Sequence, residues 1–340
     1  MKLTRERFLK EQNTPTKPVV KADLSGKTVL VVGANTGLGR EAARHLASMN
    51  AARVILGCRS LEKGDAAAED IKKSTGNPNV EVMLVDLLKL SSVVDFANHL
   101  KQNVERLDYL LLNAGIAIPT YQASDDGIES NIQVNHISTA LVAILLYPLL
   151  LDTATKYSVH PRLVVTTSGA HYLANFDSTV LNAPNILEFL GSKDYCESDG
   201  VMGARYFVTK VLNVFFIRAL NQHAGPQTPV IIDTVNPGFC LTEFSRHSNE
   251  EGKKAAIQRG EMPHTAEEGS RTLIYGALGG KDEEMRGAYV EQVWEVREPS
   301  DFVIDEQGVK LQERLWNETV ERLAQVTPDV ESTVKHSLNH

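Results

Sequence analysis

The stretch from Thr28 to Leu46 constrains the fold most. Thr28 to Val32 (TVLVV) is a short β-branched run that ends on Gly33-Ala34-Asn35-Thr36-Gly37-Leu38-Gly39. Arg40 to Leu46 then follows a helical pattern. Such a run reads as a buried parallel strand. Strand, glycine turn and helix together form the context in which a loop holds a pyrophosphate. Gly33 allows the tight turn, and Gly37 and Gly39 lack side chains that would block phosphate or hold the helix off the sheet. The helix N-terminus offers free N–H groups and a positive dipole end to the anion. The spacing is G-x-x-x-G-x-G rather than G-x-G-x-x-G, so a plain tight turn is the competing reading.

The same alternation continues along the chain. Arg53 to Gly57 reads as a second strand ending in Cys58-Arg59-Ser60, and Val80 to Val85 as a third ending in Asp86-Leu87. Asp108 to Leu112 is a fourth, ending in Asn113-Ala114-Gly115, and Arg162 to Thr167 a fifth that delivers Ser168. Pro229 to Val235 is a sixth, ending in Asn236-Pro237-Gly238, and Gly287 to Val290 a seventh. Helical patterns fall between them at Leu61–Ser74, Val93–Val104, Gly127–Leu151 and Val201–His223, with a last amphipathic helix at Gln312–Gln325. This order predicts an α/β fold: a single doubly wound, Rossmann-type parallel sheet of about seven strands with helices on both faces. Ligands in such sheets bind beyond the carboxyl ends of the strands, where the glycine loop, Arg59, Asp86 and Asn113 all fall. An acidic residue after the second strand would hold ribose hydroxyls, whereas an arginine suits a 2′-phosphate. Arg59 stands there without an acid beside it, which favours NADP(H), and NADPH over NADH. A solvated surface charge is the alternative.

Tyr206 and Lys210 are four apart on a helical pattern, hence on one face. A free phenol titrates near pKa ~10, and an ammonium held close is expected to lower that value. Such a pair can give a proton to a carbonyl oxygen or take one from an alcohol. Taken alone, it reads as an amphipathic surface tyrosine and a solvated lysine. Ser168 alone reads as a turn residue, Asn135 as a locally bonded helix residue, and His171 as a loop residue. The polar segment 169–203 and the charged segment 243–264 read as long substrate loops. Thr265-Ala266-Glu267-Glu268 carries a capping box.

Composition narrows the class. The 340 residues carry a net charge of −8, with no basic run to bind nucleic acid or a membrane surface. The three cysteines (Cys58, Cys196, Cys240) are scattered, as expected in a reducing compartment, and no metal-ligand pattern occurs. Residues 1–22 read as a polar extension, neither signal nor anchor. Residues 23–330 read as one catalytic domain and 331–340 as a tail. The apolar run Ala140–Leu151 is too short to span a bilayer and contains Pro148. A cytoplasmic enzyme with a small-molecule substrate and no nucleic-acid partner is expected.

Taken together, VGANTGLG, Asp86, Asn113-Ala114-Gly115, Asn135, Ser168, Tyr206-x-x-x-Lys210 and Pro237-Gly238-x-x-x-Thr242 resemble the short-chain dehydrogenase/reductase family over about Leu24 to Val290. GANTGLGRE, GCRS and QVNH look like its retinol-dehydrogenase-like branch, and the tail is similar to fungal members. The resemblance implies roles residue by residue. Tyr206 would be the general acid/base. Lys210 would lower its pKa and bond the nicotinamide ribose. Ser168 would hold the substrate oxygen, and Asn135 would support a water-linked relay to Lys210. Gly33, Gly37 and Gly39 would admit the pyrophosphate, Arg59 the 2′-phosphate and Asp86 the adenine, while Asn113 supports the adenine-side loop. Asn35, Thr36, Leu38, Leu87, Ala114 and Gly115 would complete the dinucleotide site, with Pro237, Gly238 and Thr242 at its nicotinamide end. The implied activity interconverts a lipophilic alcohol and its ketone or aldehyde, as a step of secondary metabolism. A catalytically silent dinucleotide-binding regulator and a double-bond reductase on the same fold stay open. The helices at Gly127–Leu151 and Val201–His223 could pair two subunits. Three departures stand out: Val32 where a threonine is usual, Ser138 where a glycine is usual, and a long gap between Ser168 and Tyr206.

Overall fold

The structure, a computed structural model, describes residues 3–243 and 257–338. Eight strands form one sheet in the order β3-β2-β1-β4-β5-β6-β7-β8. They are β1 (Thr28–Val32), β2 (Arg53–Cys58), β3 (Val80–Leu84), β4 (Tyr109–Leu112), β5 (Arg162–Thr166), β6 (Ile231–Val235), β7 (Ala288–Val290) and β8 (Val296–Arg297). All pairings are parallel except β7–β8. That antiparallel eighth strand is the one the sequence reading lacks, since two residues carry no periodicity. The order reverses between β1 and β4, the switch point where such sheets bind ligands.

Every residue of β1 is buried because both faces of the sheet are covered. Leu30 and Val32 face one core with Ile55, Leu110 and Val165. Val29 and Val31 face the other with Ala42, Leu46, Ile71 and Ile274. Among the described residues, the helices of eight residues or more are α1 (Arg5–Gln12), α2 (Gly37–Ser48), α3 (Leu61–Thr75), α4 (Leu90–Asn103), α5 (Ser130–Tyr157), α6 (Val201–Ala224), α7 (Ala266–Leu278), α8 (Glu306–Ala324) and α9 (Pro328–Ser337). Helices α2, α3 and α7 cover the second core, and α4, α5 and α6 the first. Helix α7 starts with the expected capping box of Thr265 and Glu268. Helix α5 is long and apolar enough to cross a membrane, but 83% of its most apolar window is buried within the protein. A helix apolar all round is what a position between sheet and neighbouring helices requires.

Several stretches differ from the sequence expectation. The segment 169–203 holds a 3-10 turn (Gly169–Leu173) and helices at Ser178–Leu181, Ile186–Gly191 and Lys193–Cys196. Asp177 and Asn185, polar loop formers by type, are helix N-caps here. Phe176, Val180, Ile186 and Leu190 are buried beneath them. The polar extension 1–22 contains α1, and the tail 331–340 continues α9. Of the charged stretch 243–264, residues 244–256 lie outside the described residues.

The faces of α5 and α6 expected to pair two subunits are covered within the chain. Trp316 of α8 is stacked on Phe216 and His223 of α6, at 5.9 and 4.5 Å between ring centroids. Gln312 bonds Arg218 and Gln222, and Thr319 bonds His136 of α5. Lys101 of α4 pairs with Asp329 of α9. The sequence shows the amphipathic pattern of α8 but not what its apolar side covers.

Candidate active site

The glycine loop is shaped by the chain's own packing. Gly33 has φ +83°, and a Cβ there would lie 2.7 Å from Ala114 Cα. A Cβ at Gly39 would lie 2.1 Å from the Gly33 carbonyl oxygen. These two glycines let α2 close onto the loop. Gly37, at φ +58°, is different: its Cβ would meet only the Thr242 side chain, at 3.3 Å. Between Gly37 and Thr242 the loop after β1 therefore faces the loop after β6. Thr36, the N-cap of α2, makes no side-chain cap bond, so the first N–H groups of a 12-residue helix are left for another acceptor. A cradle without side chains, backed by uncapped N–H groups, fits a dinucleotide pyrophosphate.

The surrounding residues hold this cradle. Asn113 Nδ2 donates to the Gly33 carbonyl (3.1 Å), and Asn113 Oδ1 accepts from Thr166 Oγ1 (3.4 Å). The loop is thereby tied to β5. Val32 is buried in the first core and makes no such brace. Asp86 is half-buried, and its Oδ1 accepts from Leu88 N (3.1 Å). Ser138 donates to the Leu87 carbonyl at 2.6 Å. A serine at this position is thus a tie between α5 and the loop after β3. Arg59 is exposed immediately after β2.

Ser168, Tyr206 and Lys210 converge at the ends of β5 and α6. Ser168 Oγ accepts from Ala170 N (3.1 Å) and is hydrogen-bonded to the Tyr206 phenol. Lys210 is buried, donates to the Thr166 carbonyl (2.9 Å) and lies 5.5 Å from the Tyr206 ring centroid. Thr167 Oγ1 donates to the Lys210 carbonyl (2.9 Å), locking helix to strand. Burial pushes Tyr206 up to about 12; the Ser168 bond opposes the rise and Cys240 adds to it. Burial pulls Lys210 down to about 8. The expected lowering of the phenol by Lys210 is therefore not found in the protein by itself. Desolvation outweighs a charge whose ammonium is spent on a main-chain carbonyl.

Asn135 reaches the helix of Tyr206 and Lys210 from α5. It is fully buried within a π-turn of α5, Gln133–Ile137. Such turns recur at functional sites. Its Nδ2 donates to the Ile116 carbonyl (2.8 Å) and to Thr209 Oγ1 (3.0 Å), and its Oδ1 accepts from Ile116 N (2.8 Å). Thr209 Oγ1 donates to the Tyr206 carbonyl (2.8 Å). Both amide protons are used, so the side chain joins the loop after β4 to Thr209, which in turn bonds the Tyr206 carbonyl.

His171 is a buried brace. Its Nε2 accepts from Ser300 N (3.2 Å), so the proton sits on Nδ1, which donates to the Ser168 carbonyl (2.8 Å). Burial pushes it down to about 4, keeping it neutral. On the far side of the site Gly238 has φ +78°, and its N–H bonds Asn236 Oδ1 (3.0 Å). A Cβ on Gly238 would lie 1.7 Å from Gln292 Oε1. The partners Gln292 and Ser300 carry no sequence signal; only folding brings them here. A cavity of about 360 Å³ lined by Tyr121, Ile128, Ile132, Leu187, Glu318 and Arg322 includes none of Ser168, Tyr206 or Lys210.

A doubly wound sheet with an open glycine turn and a Ser–Tyr–Lys constellation at its strand ends defines a Rossmann-type α/β protein. Residues 27–173 match the short chain dehydrogenase family model. The chain is 34% identical over 328 residues to the short chain dehydrogenase/reductase dmxR8 of Cryptosporiopsis sp. (strain 8999), covering 96% of this chain and 99% of that one. It is 36% identical to the short chain dehydrogenase sol3 of Alternaria solani, covering 84% and 96%. Its fold matches a Mycobacterium paratuberculosis crystal structure at TM-score 0.64, with 24% identity over 91% of this chain and 98% of that one. It also matches an Escherichia coli CFT073 short chain dehydrogenase complexed with NADPH, at TM-score 0.58 and 22% identity, covering 80% and 99%. The chain belongs to the short-chain dehydrogenase/reductase family, and is an oxidoreductase.

Proposed function

We propose that the protein is an NADP(H)-dependent oxidoreductase that interconverts a lipophilic alcohol and its ketone or aldehyde, with Tyr206 as general acid/base. The observation that carries this reading is the Ser168–Tyr206 hydrogen bond beside buried Lys210, just beyond the carboxyl end of β5. The Ser168 hydroxyl, its oxygen already accepting from Ala170, can donate to a substrate oxygen. Tyr206 holds its proton at neutral pH and gives it to the carbonyl oxygen during reduction. In the reverse direction it takes the proton from the alcohol. Lys210, one turn away, offsets the negative charge left on the phenolate oxygen. When bound, the nicotinamide supplies hydride to the carbonyl carbon or accepts it from the alcohol. Gly33, Gly37, Gly39 and the start of α2 would hold the pyrophosphate.

The cofactor preference rests on Arg59, exposed after β2 with no acid beside it to hold ribose hydroxyls. Structural neighbours complexed with NADPH or NADP, from Escherichia coli CFT073, Burkholderia cenocepacia and Pseudomonas aeruginosa, agree with that preference. The lipophilic substrate rests on Leu173, Leu241, Ile257 and Met262. Of these exposed large apolar side chains, Leu173 lies in segment 169–203, Ile257 and Met262 in segment 243–264, and Leu241 just before the latter. The test is NADPH consumption by the purified protein against a panel of apolar ketones and aldehydes. No turnover with any of them, despite tight NADPH binding, would instead indicate a silent dinucleotide-binding protein.

A further inference from the structure

Helix α1 reaches the site from outside the sheet. Gln12, 1% exposed, accepts from Phe239 N at its Oε1 (2.8 Å). Its Nε2 donates to the Phe239 carbonyl (3.0 Å) and the Met262 carbonyl (2.8 Å). One side-chain amide thus spends its acceptor and both protons on main chain at two places far apart in sequence. A second line leaves α1 at Arg7. Its Nη2 donates to Glu291 Oε1 (2.9 Å), Glu291 Oε2 accepts from Asn236 Nδ2 (2.7 Å), and Asn236 Oδ1 accepts from Gly238 N (3.0 Å). Glu291 is 1% exposed. Both lines end on Gly238 and Phe239, in the loop that sets Thr242 over Gly37.

A helix that only anchored the start of the chain would bury apolar side chains. Here the residues α1 buries are Glu11 and Gln12, and Gln12 addresses backbone. Buried amides are kept only where their partners are fixed, because an unmet donor or acceptor is costly. The side chains of α1 therefore fix the path of the loop after β6.

We propose that Gln12 and Arg7 are positioning residues for the Asn236–Thr242 loop. They hold it at the distance from the glycine turn that lets the nicotinamide end of the dinucleotide seat beside Tyr206. This inference rests on the NAD(P)-dependent reading of the site. Gln12→Glu keeps the acceptor toward Phe239 N–H, removes both donations and sets a carboxylate against two carbonyls. Gln12→Ala removes all three bonds.

Two readouts separate positioning from plain stability. Hydrogen exchange of the cofactor-free protein at Gly238, Phe239, Leu241 and His264 should speed up about tenfold or more in both variants, while amides of β1 and β4 keep wild-type protection. The NADPH Kd should rise about fivefold or more in both. Adding Thr242→Ala to Gln12→Glu should weaken binding no further than the stronger single change, because both act through one loop. Unchanged exchange at those four amides overturns the proposal whatever the dinucleotide does. Faster exchange with unchanged NADPH Kd, or fully additive losses with Thr242→Ala, also overturns it. A wild-type protein that binds neither NADPH nor NADH overturns the functional reading itself and with it the nicotinamide-seating role; exchange then still reports whether α1 orders the loop.

Discussion

Tyr206 keeps its proton at neutral pH because it is half-buried against Ser168 and the ammonium nearest its ring is spent on a carbonyl. The free protein is thus set to donate a proton. Oxidation needs the phenolate, so its kcat/KM should climb about tenfold per pH unit across the range where the phenol is mostly protonated. Reduction should lack that rise and should weaken above about pH 8, where Lys210 loses its charge. Paired pH–rate profiles check both; an oxidation rate flat from about pH 6 to 9 would contradict the assignment of Tyr206 as the base. Ser168→Ala should lower kcat/KM about a hundredfold, in the usual range for a lost positioning donor, and leave NADPH binding nearly unchanged. Gly39→Ala should instead abolish NADPH binding, because its methyl group would strike the Gly33 carbonyl; calorimetry reads that outcome. Among single residues, the placement of Tyr206 one turn from Lys210, of Ser168 after β5 and of the glycines after β1 was legible, because spacing and strand-end position carry that signal. Asn135 was legible as a position but not in its action, since nothing in a sequence says that its amide reaches Ile116 and Thr209.

Elements read from periodicity agree with the structure where burial is two-sided and regular. Strands β1 to β7 and helices α2, α3, α4 and α6 fall within a few residues of the apolar patterns, while α5 runs six residues beyond the expected end at Leu151. The helices of segment 169–203 leave no readable pattern because they are too short for a period and start on residues that also favour turns. Two buried histidines on or beside these elements give a pH test of stability. His136 of α5 and His171 are both held neutral by burial, each pushed down to about 4. Unfolding frees them to titrate near pKa ~6.5. Their folded pKa is depressed, so the stability they confer is complete above about pH 6.5 and is lost as pH falls toward about 4. Each contributes on the order of 3 kcal/mol over that window. Urea unfolding at pH 7, 6, 5 and 4 should show the decline. A His136→Gln variant should show a shallower one, and equal slopes would contradict the assignment.

At the scale of the whole molecule, the C-terminal helices change what the chain can do with a second copy of itself. Helix α8 covers α6, and α9 packs on α5, so the faces the sequence suggested for pairing are spent internally. The protein is expected to be a monomer by light scattering at micromolar concentration. Trp316, 3% exposed, is the centre of that cover. Trp316→Ala should cost about 3–5 kcal/mol of stability and expose the α6 face. A stable wild-type dimer would contradict this account. The α1 contact was invisible in sequence because a polar helix can dock through hydrogen bonds that hydropathy does not register, whereas α8 shows its apolar side in sequence but not the partner that side covers.

The role proposed for Tyr206 is to move the proton in an NADP(H)-dependent reaction. It is tested most directly by Tyr206→Phe, measured for NADPH binding and for NADPH consumption with the best carbonyl of the panel. NADPH Kd should be unchanged and turnover reduced at least about a hundredfold. Turnover close to wild type in that variant would contradict it.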